Sequence, residues 1–219
     1  MLKGILFDFD GTLVDSEKIH FALWNQVLQP YGVSLSPQAY RDEYAGKTTP
    51  QNAEDLVRTF GLLEDPPQLA AEKQARYYDW LQAAELPLMP YAREAVEFFF
   101  GKGLKLAVVT GSTKPGVLLS LERCGLLPYL LAVVTRDDVE HSKPHPESYQ
   151  QAVAALQLTT GDCIAFEDTE NGLKSAKAAS VACYAVRTEF SAAHDFSLAD
   201  WVFDDLQEAT AWVASAYRL

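Results

Sequence analysis

The chemistry in this chain begins at two carboxylates, Asp8 and Asp10, two positions apart at the end of an otherwise apolar run, LKGILFDFDGTL. Burying such a pair is expensive unless a metal or a cation compensates it. Taken alone, the pair reads equally well as a strand end facing water. A second acidic pair, Glu167-Asp168, closes the apolar run CIAF. Two such pairs point to a hard divalent cation. Carboxylate oxygens suit Mg²⁺, and no His/Cys set has zinc-ligand spacing. Gly11 lets the chain turn tightly and brings backbone N–H groups toward an anion. Thr110-Gly111-Ser112 follows another apolar run and precedes Lys114-Pro115. A strand that runs into a capped helix start offers unpaired N–H groups to a phosphate, with Ser112 or Thr113 as cap and Pro115 in the first turn. On its own this is equally an ordinary capped connection. Lys143, in Ser-Lys-Pro-His-Pro, is either a solvated loop lysine or a bridge among the acids. His141 and His145 beside it read as surface histidines.

These residues need a scaffold that brings them together. Residues 2–9, 104–110, 130–135, 163–167 and 181–186 are short apolar runs without alternation. Strands covered on both faces have this character. Helical spacing separates them: Val117, Leu118, Leu121 and Cys124; Tyr149, Ala152, Val153 and Leu156; Leu173, Ala176 and Ala179. The alternation predicts an α/β core, a Rossmann-like doubly wound parallel sheet, with ligands at the carboxyl ends of its strands. Residues 16–87 break the rhythm. Ile19, Leu23, Val27 and Tyr31, then Leu56, Val57 and Phe60, then Tyr77, Trp80 and Leu81 follow a helical period with no buried strand between them. We expect an inserted all-helical cap over 16–87 and a core built from 1–15 and 88–219. The aromatic groups Tyr77, Tyr78 and Trp80, and Phe98-Phe99-Phe100, read as core packing.

Composition narrows the partners. The 219 residues are 48% hydrophobic and carry a formal net charge of −12, which suits a globular protein that repels nucleic acid and anionic lipid. An anionic ligand then needs a local positive source. Asp8 interrupts an N-terminal apolar run too short for an export signal, and no stretch has the length of a membrane span. Cys124, Cys163 and Cys183 are scattered and odd in number, as expected of reduced thiols in a cytoplasm. Nothing in the sequence specifies an oligomeric state.

Asp-Phe-Asp-Gly-Thr-Leu, Val-Val-Thr-Gly-Ser, Ser-Lys-Pro-His-Pro-Glu and Phe-Glu-Asp-Thr-Glu-Asn-Gly, in this order and near this spacing, resemble the four motifs of the haloacid dehalogenase superfamily. The insertion resembles its small C1-type cap. The resemblance implies that Asp8 is a nucleophile forming an aspartyl-phosphate and that Asp10 is the general acid and base. It implies that Thr110 and Lys143 complete the catalytic set. It assigns Mg²⁺ to Asp8, the Asp10 backbone carbonyl and Asp168, with Glu167 close by. Phosphate contacts are expected from Gly11, Gly111 and Ser112. True dehalogenases generally lack the second acid, so Asp10 argues for phosphate chemistry. Asp10, Ser16 and His20 resemble β-phosphoglucomutase and its sugar-phosphatase cousins, in which the histidine contacts the general acid from the cap. Ala45 stands where a mutase has a lysine, no arginine follows, and Tyr78-Asp79 replaces another basic region. Lys47, Lys73 and Arg76 are the substitutes at hand. The expected function is hydrolysis of a small phosphate ester, a sugar phosphate, with a phosphomutase as the alternative and a non-catalytic binding protein behind it. His20 and Lys47 are the candidate cap contacts to substrate.

Overall fold

The computed structural model describes residues 1–84 and 86–219. Its first strand, β1 (Gly4–Phe7), is wholly buried. The chain then leaves the sheet for α1 (Glu17–Leu28), α2 (Pro37–Glu43), α3 (Thr49–Phe60) and α4 (Pro66–Ala83). It returns through α5 (Ala92–Gly101), β2 (Lys105–Val109), α6 (Lys114–Arg123), β3 (Ala132–Val134) and α7 (Glu147–Ala155). The remainder is β4 (Cys163–Glu167), α8 (Glu170–Ala178), β5 (Ala182–Val186), β6 (Trp201–Phe203) and α9 (Leu206–Tyr217). The six strands lie in the order β3-β2-β1-β4-β5-β6, and every pairing is parallel. This is the doubly wound α/β core expected from the sequence, with an all-helical cap inserted after β1.

Alternate residues of each strand face opposite layers. Ile5 and Phe7 join Val108, Phe166 and Tyr184 in a cluster closed by α5, α6 and α9. Leu6, Ala107, Val109, Ala165 and Cys183 face the other way, against α7 and α8. The cap has its own core of Trp24, Val27, Leu28, Tyr40, Leu56 and Leu69, joined by Phe190 from the sheet side. The cap leaves and rejoins the core side by side. Asp15 N–H donates to Pro87 O and Met89 N–H to Leu13 O, both at 2.8–2.9 Å, around an antiparallel Val14–Leu88 bridge.

Three elements differ from the sequence reading. The β6 strand has only three residues, too few for an apolar run to stand out, and Trp201 is half exposed at the sheet edge. In the Phe98-Phe99-Phe100 run only Phe99 is fully buried. Phe98 is partly covered and Phe100 is 49% exposed, because a helix turns successive residues by about 100°. Thr113 occupies the N-cap of α6, but its hydroxyl does not cap. It pairs with Tyr78 Oη at 2.8 Å, and Asp137 accepts the Lys114 N–H instead.

Candidate active site

The three acidic and hydroxyl segments meet at the carboxyl edge of the sheet because β1, β2 and β4 are adjacent and in register, Phe7 beside Val108 and Phe166. Asp8 and Asp10 follow β1, Thr110 follows β2, and Glu167-Asp168 end β4. Lys143 enters from the loop before α7. Its Nζ lies 2.6 Å from Asp8 Oδ1, donates to Val109 O at 2.9 Å, and contacts Glu167 Oε1. Burial opposes its charge, but Asp8 and Glu167 outweigh burial and hold its pKa above the ordinary lysine value.

Asp8, Glu167 and Asp168 are all buried and offer carboxylate oxygens within 4.8 Å of one another. One lysine cannot neutralise three such groups. Burial first, then repulsion from neighbouring carboxylates, pushes Asp8 and Asp168 well above the ordinary aspartate pKa. Asp168 Oδ1 is buried with no hydrogen-bond partner. Glu167 is already engaged: Tyr149 Oη donates to Oε1 at 2.7 Å and Thr169 Oγ1 to Oε2 at 3.2 Å. An excess of buried carboxylate with one orphaned oxygen is the donor set of a hard divalent cation, and the residues present fit Mg²⁺. Asp8 and Asp168 have oxygens to give, while Glu167 stands behind them.

Two glycines allow this crowding. A Cβ on Gly11, whose φ is +85°, would stand 2.0 Å from Asp168 Oδ2. A Cβ on Gly172, in the first turn of α8, would fall 2.0 Å from the Glu167 carboxylate. Gly11 does not line the cleft. Its absent side chain makes room for Asp168, and its N–H donates to Val14 O at 2.8 Å.

Asp10 is oriented differently from the other acids. Ser16 Oγ donates to its Oδ1 at 2.6 Å, Ser112 Oγ donates to Oδ2, and Thr110 Oγ1 lies 3.4 Å from Oδ2. His20 Nε2 stands 3.8 Å from Oδ1. Burial would raise the Asp10 pKa, but His20 and the serine hydroxyls outweigh it and hold the carboxyl at about 2. Its side chain is thus held by hydroxyls from both core and cap, with His20 beside it.

A cleft of about 100 Å³ lies between sheet edge and cap. Asp8, Asp10, Thr110, Gly111, Ser112 and Lys143 line it from the core, and His20, Lys47 and Lys73 from the cap. The structure thus gathers every candidate except Gly11, Glu167 and Asp168 at the cleft wall, and places the last two directly behind it. Two details depart from expectation. Ser112 N–H donates to Thr110 Oγ1 at 3.0 Å, so this amide is not free for a phosphate. Lys47 Nζ is paired with Asp55 at 2.9 Å, which commits its charge away from the cleft.

The structure also adds residues the motifs do not single out. Lys73 is almost wholly buried, contacts His20 Nδ1 at 2.9 Å and donates to Thr49 Oγ1 at 3.2 Å. Burial lowers its pKa to about 8 against the pull of Glu17 and Asp10. Helical spacing carries the signal for its burial: Leu69, Lys73, Tyr77 and Leu81, four residues apart, form the buried face of α4. Arg136 lines the cleft from the loop after β3 and makes no side-chain hydrogen bond or ion pair among the described residues. Tyr77, read as core, is both core and cleft wall, its ring centroid 4.7 Å from that of His20 with the planes tilted by 49°.

A parallel α/β sheet under a helical cap, with carboxylates and a lysine clustered at its carboxyl edge, defines a capped, doubly wound α/β protein with an acidic site at the strand ends. A sequence model of the haloacid dehalogenase-like hydrolases matches residues 5–186, and the chain belongs to that family. It is 29% identical over 218 residues to the protein CbbY of Rhodobacter capsulatus, covering 95% of each chain. It is 32% identical over 186 residues to the fructose-1-phosphate phosphatase YqaB of Escherichia coli, covering 84% of this chain and 96% of that protein. The fold superposes on β-phosphoglucomutase of Clostridium difficile with a TM-score of 0.84 over 100% of this chain and 98% of the other, at 17% identity. Among the described residues, no helix is long and apolar enough to cross a membrane.

Proposed function

We propose that this chain is a Mg²⁺-dependent phosphatase that hydrolyses a small phosphomonoester, a sugar phosphate, through a phosphorylated Asp8. The observation that carries the reading is the convergence of Asp8, Asp10 and Lys143 on the core wall of one cleft, with Asp168 beside Asp8 and His20 on the cap wall. The similarity to a fructose-1-phosphate phosphatase supports the substrate class.

An Asp8 carboxylate oxygen attacks phosphorus, and the ester P–O bond breaks. Asp10 gives its proton to the departing oxygen. Asp10 then removes a proton from water, which attacks phosphorus, releases inorganic phosphate and regenerates Asp8. One carboxyl serves both half-reactions because each leaves it in the form the next requires. In the free site Asp10 is ionised, its carboxyl held at about 2. A phosphoryl anion placed beside it raises its proton affinity, so substrate binding itself arms the acid. Lys143 balances negative charge between Asp8 and the phosphoryl group. Thr110, now only 3.4 Å from Asp10, is positioned to turn its hydroxyl toward a phosphoryl oxygen. A divalent cation held by Asp8, the Asp10 backbone carbonyl and Asp168, with Glu167 behind, would neutralise the charges that otherwise keep nucleophile and phosphate apart.

The phosphomutase alternative draws on Lys73 and Arg136, two cleft cations available to a second phosphate. Against it, Ala45 and the Lys47–Asp55 pair leave the cap loop without a free ammonium. A panel of sugar phosphates, read for inorganic phosphate release, tests the reading. Asp8→Asn should lower turnover by about four orders of magnitude or more with circular dichroism unchanged. Unchanged phosphate release from that variant would refute it. In parallel, β-glucose 1-phosphate with a trace of the 1,6-bisphosphate separates the classes: isomerisation outrunning phosphate release would make the enzyme a mutase.

A further inference from the structure

The two histidines beside Lys143 do not face solvent separately. His141 Nδ1 lies 3.3 Å and His145 Nδ1 3.8 Å from the same oxygen, Glu147 Oε2. The imidazole centroids are 4.7 Å apart, and one donor atom from each of the three residues falls within a 4.8 Å group. We propose that His141, His145 and Glu147 form a second metal site, selective for a borderline transition ion such as Zn²⁺ and separate from the oxygen-only cluster at Asp8.

Geometry is the first argument. A tetrahedral ion with metal–nitrogen and metal–oxygen bonds near 2.1 Å sets its ligand atoms about 3.4 Å apart. The two observed N···O separations bracket that spacing within a few tenths of an ångström. Rotation of two half-exposed imidazoles, 59% and 49% accessible, closes the difference without moving backbone.

Preorganisation is the second. Glu147 Oε1 accepts the Glu140 N–H at 2.9 Å, and Oε2 accepts the His141 N–H at 3.0 Å. These two backbone donors fix the carboxylate at the start of α7 and hold its pKa below the ordinary glutamate value. Each oxygen keeps a second lone pair for an ion. Among the described residues, the one hydrogen bond to His145 Nδ1 is a long 3.4 Å contact from Glu147 N–H, which a metal bond displaces.

Ligand chemistry separates the two sites. Two imidazoles and one carboxylate favour Zn²⁺, Ni²⁺ or Cu²⁺, whereas Mg²⁺ sheds water reluctantly and prefers oxygen. The buried cluster of Asp8, Glu167 and Asp168 contains no nitrogen. The ligands also flank Lys143 in the chain, so an ion here ties together the segment that delivers the catalytic-site ammonium.

Electron paramagnetic resonance of the Mg²⁺-loaded protein with one equivalent of Cu²⁺ tests this. The expected spectrum shows superhyperfine coupling to two imidazole nitrogens. His141→Ala should leave one nitrogen, and the His141→Ala/His145→Ala double variant none, with circular dichroism unchanged. His20→Ala/His194→Ala, which removes the other two histidines, should keep both couplings. In a second readout, Zn²⁺ should slow amide hydrogen exchange across residues 140–147 in the parent protein and not in the 141/145 double variant. Oxygen-only ligation in the parent protein, or nitrogen couplings that survive the 141/145 double substitution, overturns the proposal.

Discussion

Lys143 Nζ stands 2.6 Å from Asp8 Oδ1, joining two side chains 135 residues apart and each about a tenth exposed. The same ammonium contacts Glu167, whose side chain is wholly inaccessible. One cation thus serves two strand ends, and its loss leaves two buried anions unpaired. Lys143→Met should cost about 3–5 kcal/mol of stability in the metal-free protein, the usual consequence of breaking a buried ion pair on one side. Urea unfolding measures it. Turnover should fall with it, and a variant as stable as the parent would show that the pair is not the clamp described here.

Metal and pH act on the same cluster. The Asp8 and Asp168 pKa values are raised by burial and mutual repulsion. A raised folded-state value means the folded protein holds protons that the unfolded chain has released above 3.8, so this stabilisation is lost as pH rises. Metal-free protein should therefore melt at a progressively lower temperature as pH rises above 3.8. Mg²⁺ should raise the melting temperature more as pH rises, because it competes with the protons these carboxylates retain. Chelation should stop phosphate release and Mg²⁺ restore it. Asp10 works in the opposite direction and in another window: its stabilisation is present above 3.8 and is lost as pH falls toward about 2.

Lys73 gives an alkaline signature. Its pKa of about 8 lies well below the ordinary value of 10.5, so the folded protein loses this proton first. Between those values the unfolded chain binds more protons, and stability rises with pH. Binding of an anion in the cleft should move the opposite way, since the cleft loses a positive charge. We expect kcat/KM to fall above pH 8 in the parent, while Lys73→Met has lower kcat/KM and no such limb. An alkaline limb unchanged in Lys73→Met would remove Lys73 from the account.

Gly11→Ala tests the packing behind the site. The residue has φ of +85°, which costs an L side chain about 1–2 kcal/mol, and the new Cβ would collide with Asp168. Asp168 must then shift, and the Mg²⁺ concentration for half-maximal activity should rise about tenfold or more. Fluorescence or activity titration with Mg²⁺ reads this. An unshifted titration would mean that Asp168 does not hold the ion.

Several things were readable from residue order alone. Apolar runs ending in Asp8, Thr110 and Glu167 identified buried strands and the chemistry at their ends, because a carboxylate at the close of an apolar run is costly without a compensating charge. The helical period of residues 16–87 marked the inserted cap, because an amphipathic face repeats locally. Tertiary structure decided the rest. Lys47 and Lys73 are the same residue type, yet one is spent on Asp55 and the other is buried against His20. The pairing depends on how α1, α3 and α4 pack, and local spacing does not encode it. Gly11 turned out to make room for Asp168, 157 positions away, and the pairing of β1 with β4 creates that contact. Sequence names the groups that can react; only the folded chain assigns each charge its partner, because burial and distance set its electrostatic energy.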